Sequence, residues 1–353
     1  MRLYFEPSRP VVLTDPQPIG SGAQGLVVVD AGNPRFCFKV YRTVSETRDE
    51  RTAALLRLPP AAWPGTPEHH AAWPLHPLTD DTGHVRAVAL RRVEGASLHA
   101  LFDPLQRGAA LQRPNWATLL QVARNLARLF GRLHRAGVVV GDVSPGNVLV
   151  EPGGRVVLID CDSVQFTDPA TGRAFPAEHV TPEYAPGQAL AHGDVSHDLF
   201  GLAVLICQLL MEGDHPFEGI PREGADRGIE GNIGAGASPL LEPHRFVPVP
   251  GRLTVELLPE PVVALARRAF GGDPAARPGT AEWDAALGEA LRGLIGCRYD
   301  AAHFHRQGLS ACVWCHRRRH GLGDHYPAAG GAVAAPVAAA LARRSRPAAR
   351  RRA

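Results

Sequence analysis

The sequence predicts an α+β chain in two lobes, a small β-rich lobe over residues 1–93 and a larger helical lobe over 94–295. Three observations carry this reading. Strand-like apolar runs fill the first stretch, with one short helix among them. Long helical patterns fill the second. Short strands and carboxylate-bearing loops fall just after the first long helix. A Cys/His-rich appendage over 296–326 and an Ala/Pro/Arg tail over 327–353 follow, the tail being low in complexity and expected to be disordered. The length of 353 residues suits one two-lobed domain with small attachments.

Each element has its own signal. Leu26–Val29, Phe36–Tyr41 and Val85–Val93 are apolar enough for strands. Glu46–Leu58 has helical spacing, with Ala54, Leu55 and Leu58 on one face, and Pro59-Pro60 ends it. A Pro/His-rich loop runs from Ala61 to Pro77. From Trp116 to about Gly137, Leu119, Leu120, Ala123, Leu126, Ala127, Phe130 and Leu133 form one stripe of a long amphipathic helix. Val138–Val140, Val148–Val150 and Val156–Ile159 are short strands. Residues 195–212 form a nearly all-apolar helix, which must be buried. The Gly-rich stretch 219–240 reads as a flexible insertion, with helices at 258–270 and 280–294 after it.

Composition narrows the function classes. Of 38 basic residues only one is a lysine, Lys39; the other 37 are arginines. The basic excess behind the formal net charge of +3 is concentrated in Arg317–Arg319 and the final arginines, not in the body of the chain. Nucleic-acid binding is therefore not expected, beyond weak, salt-dependent attraction through the tail. No apolar run approaches the ~20 residues of a membrane span, and the N-terminus lacks a signal-peptide core. A cytoplasmic protein with no membrane insertion is expected. Six cysteines in this length do not suggest a disulfide framework, and Cys37, Cys161 and Cys207 sit in apolar contexts.

Lysine survives arginine enrichment where a compact point charge is needed. Lys39 lies on the Phe36–Tyr41 strand, fourteen residues after Gly25 closes Gly20-Ser21-Gly22-Ala23-Gln24-Gly25. Alone, Lys39 also fits a chance surface position, and the glycine pattern also fits a simple or dinucleotide-binding turn. A strand, not a helix, follows the glycines, which suits a flap whose amides cover phosphates. Asp142 and Asn147 are five apart in Gly141-Asp142-Val143-Ser144-Pro145-Gly146-Asn147, so that one can face an attacking hydroxyl and the other a Mg²⁺ ion, or both can cap a turn. Asp160 ends an apolar strand in Ile159-Asp160-Cys161-Asp162-Ser163 and offers the hard oxygen that Mg²⁺ prefers, although a strand-end turn uses the same residue.

Taken in order, these elements resemble the protein kinase signature set. Thr181-Pro182-Glu183-Tyr184-Ala185-Pro186 is similar to the end of an activation segment, and His197-Asp198-Leu199-Phe200-Gly201 to the start of the family's buried helix. Asp214-His215-Pro216-Phe217 is similar to the turn after it, and Asp273-Pro274-Ala275-Ala276-Arg277-Pro278 matches D-P-x-x-R-P. The resemblance spans roughly residues 13–295, and its pattern looks like a divergent bacterial Ser/Thr branch.

The resemblance implies ATP, Mg²⁺ (or Mn²⁺) and γ-phosphoryl transfer to Ser/Thr hydroxyls of a protein substrate, itself included. Lys39 would contact the phosphates, with Glu50, or else Glu46, as its ion-pair partner. Asp142 would accept the hydroxyl proton, and Asn147 and Asp160 would hold the metals. Gly20, Ser21, Gly22, Ala23, Gln24 and Gly25 would cover the phosphates. Val27 would cover the adenine, Leu90 would be the gatekeeper, and Arg91–Val93 would be the hinge. The chain also departs from the family. Val140-Gly141 stands for His-Arg, so control by a loop phosphate is expected to be weak. Ser144 stands for a catalytic-loop lysine, Cys161-Asp162 for Phe-Gly, and Gly187 for the glutamate that would pair Arg277. These departures keep open a pseudokinase scaffold. A small-molecule phosphotransferase and a nucleotidyl transferase share the Asp/Asn/Asp logic.

A separate cluster follows. Cys297, Cys312 and Cys315, with His303 or His305 between, have the soft-ligand character of a structural Zn²⁺ site, and the branch's similar tail favours His303. Unpaired thiols beside a His-rich loop are the plainer alternative. Zinc would tie down a segment too short to build its own core.

Overall fold

A seven-stranded antiparallel sheet in the order β2-β1-β6-β7-β5-β4-β3 forms the N-terminal lobe of the computed structural model. The structure describes residues 2–6, 9–13, 18–22, 24–58, 70–187 and 193–327. The strands are β1 (Arg2–Glu6), β2 (Arg9–Val12), β3 (Pro18–Ser21), β4 (Gly25–Val29), β5 (Phe36–Tyr41), β6 (Pro74–Thr79) and β7 (Val85–Arg91). β1, β2, β3 and β6 carry too few consecutive apolar residues to stand out in the sequence; pairing to neighbours makes them strands.

β5 is covered on both faces. Phe38 and Val40 pack with Leu3, Val28, Leu78 and Ala87. Cys37 and Tyr41 pack with Val85, Val88 and Leu90. Strand side chains alternate between faces, so Lys39 shares the face of Cys37 and Tyr41. Helix α1 (Glu46–Arg57) begins where the Ser45 hydroxyl accepts from the Arg48 N–H at 3.2 Å, an N-cap that satisfies an otherwise orphaned donor. It buries Arg51, Thr52, Ala54 and Leu55.

In the C-terminal lobe, β8 (Ala96–Ser97), β9 (Val148–Val150) and β10 (Val156–Leu158) make a small sheet. α2 (Leu98–Phe102) and α3 (Pro104–Ala110) lead into α4 (Trp116–Arg135), which opens with an Asn115/Thr118 capping box. β11 (Phe166–Thr167) pairs with β12 (Ala174–Phe175). α5 (Ser196–Leu210) is buried along its whole length, as its nearly all-apolar pattern predicts. The Trp116 indole N–H donates to the Leu210 carbonyl at 3.2 Å, tying the start of α4 to the end of α5. α7 (Glu260–Ala269) and α8 (Thr280–Arg292) pack below them, each buried along one face. The core of this lobe is one continuous cluster built mainly on α4, α5, α7 and α8.

The Gly-rich stretch 219–240 is better organised than its composition predicts. It contains α6 (Gly228–Gly234). Asn232 is fully buried there and donates to the carbonyls of Phe217 and Gly219 at 3.0 and 2.9 Å. Beside it Ile233 is buried in the lobe's core, with Ile229 and Leu240 packed against that core.

The C-terminal module consists of the β13 (Leu294–Gly296)/β14 (Phe304–Arg306) hairpin and α9 (Val313–Arg319). It docks on the lobe through buried rings. Trp314 lies 6.4 Å from Trp116 and 4.8 Å from Tyr326, centroid to centroid. Behind them Glu212 is buried, its backbone left-handed at φ 61°. Its carboxylate pairs with the fully buried Arg107 at 2.7 Å, with His325 Nδ1 at 3.1 Å, and with the Tyr326 hydroxyl. Burial works against its ionisation, but the Arg107 guanidinium, helped by His325 and Tyr326, holds its pKa down at about 2.

Glu212→Gln leaves Arg107 buried without its charge partner, so unfolding free energy should fall by about 3–5 kcal/mol at neutral pH. A depressed carboxyl pKa contributes stability above the ordinary value of 4.5 and loses it as pH falls toward about 2. The gap between wild type and variant in denaturant melts should therefore narrow between about pH 5 and about pH 3.

Candidate active site

The glycine-rich loop joins β3 to β4 and roofs a cleft between the lobes. The Gly22 N–H donates to the Gly25 carbonyl at 2.9 Å, closing the loop. Gly25 is required by space: a Cβ there would sit 2.1 Å from the Val40 carbonyl oxygen on β5. Beneath the roof lies a cavity of about 880 Å³. Gly20, Ser21, Gly22, Gln24, Gly25 and Val27 line it from above. Leu90, Arg91 and Val93 line its inner edge, and Lys39, Asp142, Asn147 and Asp160 its polar end. Leu149 and Ile159 contribute apolar floor. Ala23 lies outside the described residues.

The loop bearing Asp142 is clamped from below. Asp198, fully buried on α5, accepts from the backbone N–H groups of Val140 and Gly141 at 2.7 and 2.9 Å, and bonds His134 Nε2 at 2.8 Å. Gly141 is left-handed at φ 73°, a conformation glycine adopts without the Cβ penalty, and it turns the chain into the cleft. Asn147 donates to the Asp142 carbonyl at 3.0 Å and to its Oδ2 at 3.3 Å. The Thr181 hydroxyl donates to Asp142 Oδ1 at 2.5 Å. Ser144 is half-buried just before the Pro145–Asn147 turn.

Lys39 is buried, and its three ammonium donors are all engaged. Nζ bonds Gln24 Oε1 at 2.8 Å, Asp162 Oδ1 at 2.8 Å, and Asp160 Oδ1. Burial favours the neutral amine, but Asp162 and Asp160 outweigh it and raise the pKa of Lys39 above its ordinary value. Asp162 is buried as well; its Oδ2 takes the Tyr41 hydroxyl at 2.8 Å. Burial opposes its charge, yet the Lys39 ammonium and the two hydrogen bonds keep its pKa below the ordinary carboxylate range. Asp160 itself is left-handed at φ 63°, with its carbonyl accepting from the Ser163 hydroxyl at 2.8 Å.

The expected Lys39–Glu50 pair is absent. Glu50 lies on the solvent face of α1 and pairs with Arg173 at 2.5 Å; Glu46 is exposed too. The inward face belongs to Arg51, whose Nε donates to the Asp162 carbonyl at 2.7 Å and whose Nη1 donates to the Pro176 carbonyl at 3.0 Å. Arg48 pairs with Glu178 at 3.0 Å. The helix presents guanidiniums where a carboxylate was expected. Arg51 and Glu178 carry no sequence signal, and Asp162 stands out there only as a departure from the family's glycine. The second carboxylate of Asp160-Cys161-Asp162 was the one available signal.

Arg277 lacks the expected glutamate but is not bare. It donates to the Ser196 carbonyl at 3.1 Å, and its guanidinium lies 5.5 Å over the Phe200 ring.

In the C-terminal module, Cys297, His303, Cys312 and Cys315 offer ligand atoms within 4.8 Å of one another, a set able to hold a metal ion. His303 Nδ1 faces the Cys315 thiol at 3.4 Å, while its Nε2 bonds Asp324 at 3.0 Å. His305 lies outside this set, its Nδ1 on the Arg306 carbonyl at 3.0 Å.

No family model matches the chain. Protein kinase YegI of two Escherichia coli strains is 32% identical over 262 residues, which is 70% of this chain and 40% of the relative. Serine/threonine-protein kinase pkn3 of Myxococcus xanthus is 28% identical over 212 residues, 55% of this chain and 34% of that protein. The chain belongs to the protein kinase superfamily. The chain spans about 40% of the length of the YegI relatives it matches. Among the described residues, no helix is long and apolar enough to cross a membrane.

Asp198 anchors the Asp142 loop, so Asp198→Ala strands two backbone donors. Each buried unsatisfied group costs about 1–3 kcal/mol. A lowered thermal midpoint, with faster hydrogen exchange at Val140 and Gly141, is the expected result.

Proposed function

We propose that this chain is an ATP- and Mg²⁺-dependent protein kinase acting on Ser and Thr hydroxyls. The observation that carries the reading is the meeting of Lys39, Asp142, Asn147 and Asp160 in one cavity beneath the glycine-rich loop. Its volume and mixed lining fit a nucleotide: apolar Val27, Leu90, Leu149 and Ile159 for a base, hard oxygens and one ammonium for phosphates and metal. Mg-ATP, when bound, supplies the phosphoryl group.

The chain's own residues do the rest. Lys39 holds phosphate oxygens as a point charge. Asn147 and Asp160 supply metal ligands, Mg²⁺ or Mn²⁺. The loop backbone from Gly20 to Gly25 covers the phosphates, and the Arg91–Val93 backbone meets the base. Asp142 orients the acceptor hydroxyl and takes its proton. The Thr181–Asp142 bond supports a Ser/Thr acceptor, because an aliphatic hydroxyl already reaches that carboxylate. Ser144 offers no cation, so transition-state charge falls to Lys39 and the metals. Cys37, Cys161 and Cys207 are buried free cysteines, and a cytoplasmic setting is part of this proposal.

We also propose zinc as the metal of Cys297, His303, Cys312 and Cys315. Three thiolates and one imidazole make a closed structural donor set. The His303–Asp324 bond orients the ring so that Nδ1 faces the metal position.

Incubation with γ-labelled ATP and Mg²⁺ should label wild-type protein or a generic substrate, and Asp142→Asn should lose at least about 10²-fold of the rate. Mass spectrometry should find a phosphate adduct on Ser or Thr, not an adenylate. Equal labelling of wild type and Asp142→Asn would mean that the chain is a scaffold. Lys39→Arg should abolish turnover, since a planar fork cannot replace a buried point charge.

Elemental analysis should find about one zinc per chain. Cys315→Ser should lose most of it and melt at lower temperature, while His305→Ala should keep it.

A further inference from the structure

We propose that Asp162 is the carboxylate that positions Lys39 for phosphate contact, replacing any glutamate on α1. The inference rests on the kinase reading above and concerns a residue to which that reading gives no role.

Both oxygens of Asp162 are committed. Oδ1 holds Lys39 Nζ at 2.8 Å and Oδ2 holds the Tyr41 hydroxyl at 2.8 Å. Lys39 and Tyr41 are two apart on β5, so they project from the same face and grip one carboxylate together. Asp162 is 2% exposed, behind the cavity wall. Asp160, whose side chain is 30% exposed, lines the cavity itself.

That difference divides the work. An ammonium has three donors, and here Gln24, Asp160 and Asp162 take them. Asp160 faces the cavity and is free to turn to a metal, and Gln24 sits on the roof and can yield to a phosphate oxygen. Asp162, buried and held by Tyr41, stays with Lys39.

Helix α1 is built to exclude the usual arrangement. Arg51 donates to the carbonyls of Asp162, Val164 and Pro176. A glutamate in its place would face three carbonyl oxygens. Arg48 Nη1 lies 3.8 Å from Asp162 Oδ2 and adds positive charge on that side. The helix therefore holds the segment after Asp160 by its backbone and leaves Lys39 to Asp162. The ion pair is assembled within β5 and that segment, so it does not depend on a carboxylate carried by α1.

The test measures the Kd for a fluorescent ATP analogue with Mg²⁺, together with KM for ATP, kcat and thermal midpoint. Asp162→Asn should weaken nucleotide binding and raise KM by about tenfold or more. Tyr41→Phe keeps the carboxylate and removes only its anchor; it should give a smaller rise in KM. Glu50→Gln, on the solvent face, should match wild type in all four. A purely structural role for Asp162 would lower the folded fraction, and so kcat, while leaving KM in place. Unchanged KM and Kd in both Asp162→Asn and Tyr41→Phe, or a loss in Glu50→Gln equal to that in Asp162→Asn, overturns the inference and leaves the kinase reading standing. If wild type binds nucleotide tenfold tighter than Asp162→Asn but transfers no phosphate, the positioning role survives and the transfer reading fails.

Discussion

The buried ammonium of Lys39 is the constraint around which the cleft is organised. A charge removed from water is tolerated only when it is paired and hydrogen-bonded. Asp160 and Asp162 supply the charge, and Gln24 the remaining acceptor. Each partner comes from a different place: the roof loop, the end of the β10 strand, and the turn after it. Satisfying one ammonium therefore fixes the separation of roof and floor. It also fixes the segment that leads to Thr181, because Gln24 and Arg48 both reach Glu178. An arginine could not fill this position, since its fork spreads five donors in a plane instead of converging three at a point. In a chain that otherwise uses arginine, this is a physical reason for a single lysine.

The same logic recurs below the cleft with the sign reversed. Asp198 and Glu212 are buried carboxylates at the two ends of α5, and each gathers donors from distant parts of the chain. Asp198 ties α5 to the Asp142 loop and to His134. Glu212 ties α5 to α3 and to the segment following α9. A helix held only by its apolar side chains could slide or rotate in its bed; two charged ends set its register. The C-terminal module thereby joins the C-terminal lobe's core, with Trp314 and Tyr326 in the same cluster as Trp116.

Much of the fold was legible because it rests on periodicity. The α1, α4 and α5 stripes mark burial directly, and all three form at the expected positions. β1, β2 and β6 escaped notice because their pairing, not their composition, makes them strands. α6 escaped because it is short and Gly-rich and buries only two residues, Asn232 and Ile233. At the cleft, the residues named by spacing do converge: Lys39, Asp142, Asn147 and Asp160 line one cavity. The expected role of Glu50 failed because spacing along α1 says that a residue is near, not which way the helix is turned.

By itself the sequence determined which chemical groups are available and in what order: one lysine, a glycine loop, two Asp-bearing loops and a Cys/His set. Local rules reach that far because turns, strands and helices depend on near neighbours. Tertiary structure alone decided the partners. Rotation of α1 about its axis sends Glu50 to Arg173 and Arg51 to the carbonyls beyond Asp160. Packing of β5 against that segment brings Asp162, 123 residues away, onto Lys39. Pairing of buried charges follows the lowest cost of desolvation in the assembled core, and no local pattern encodes that cost.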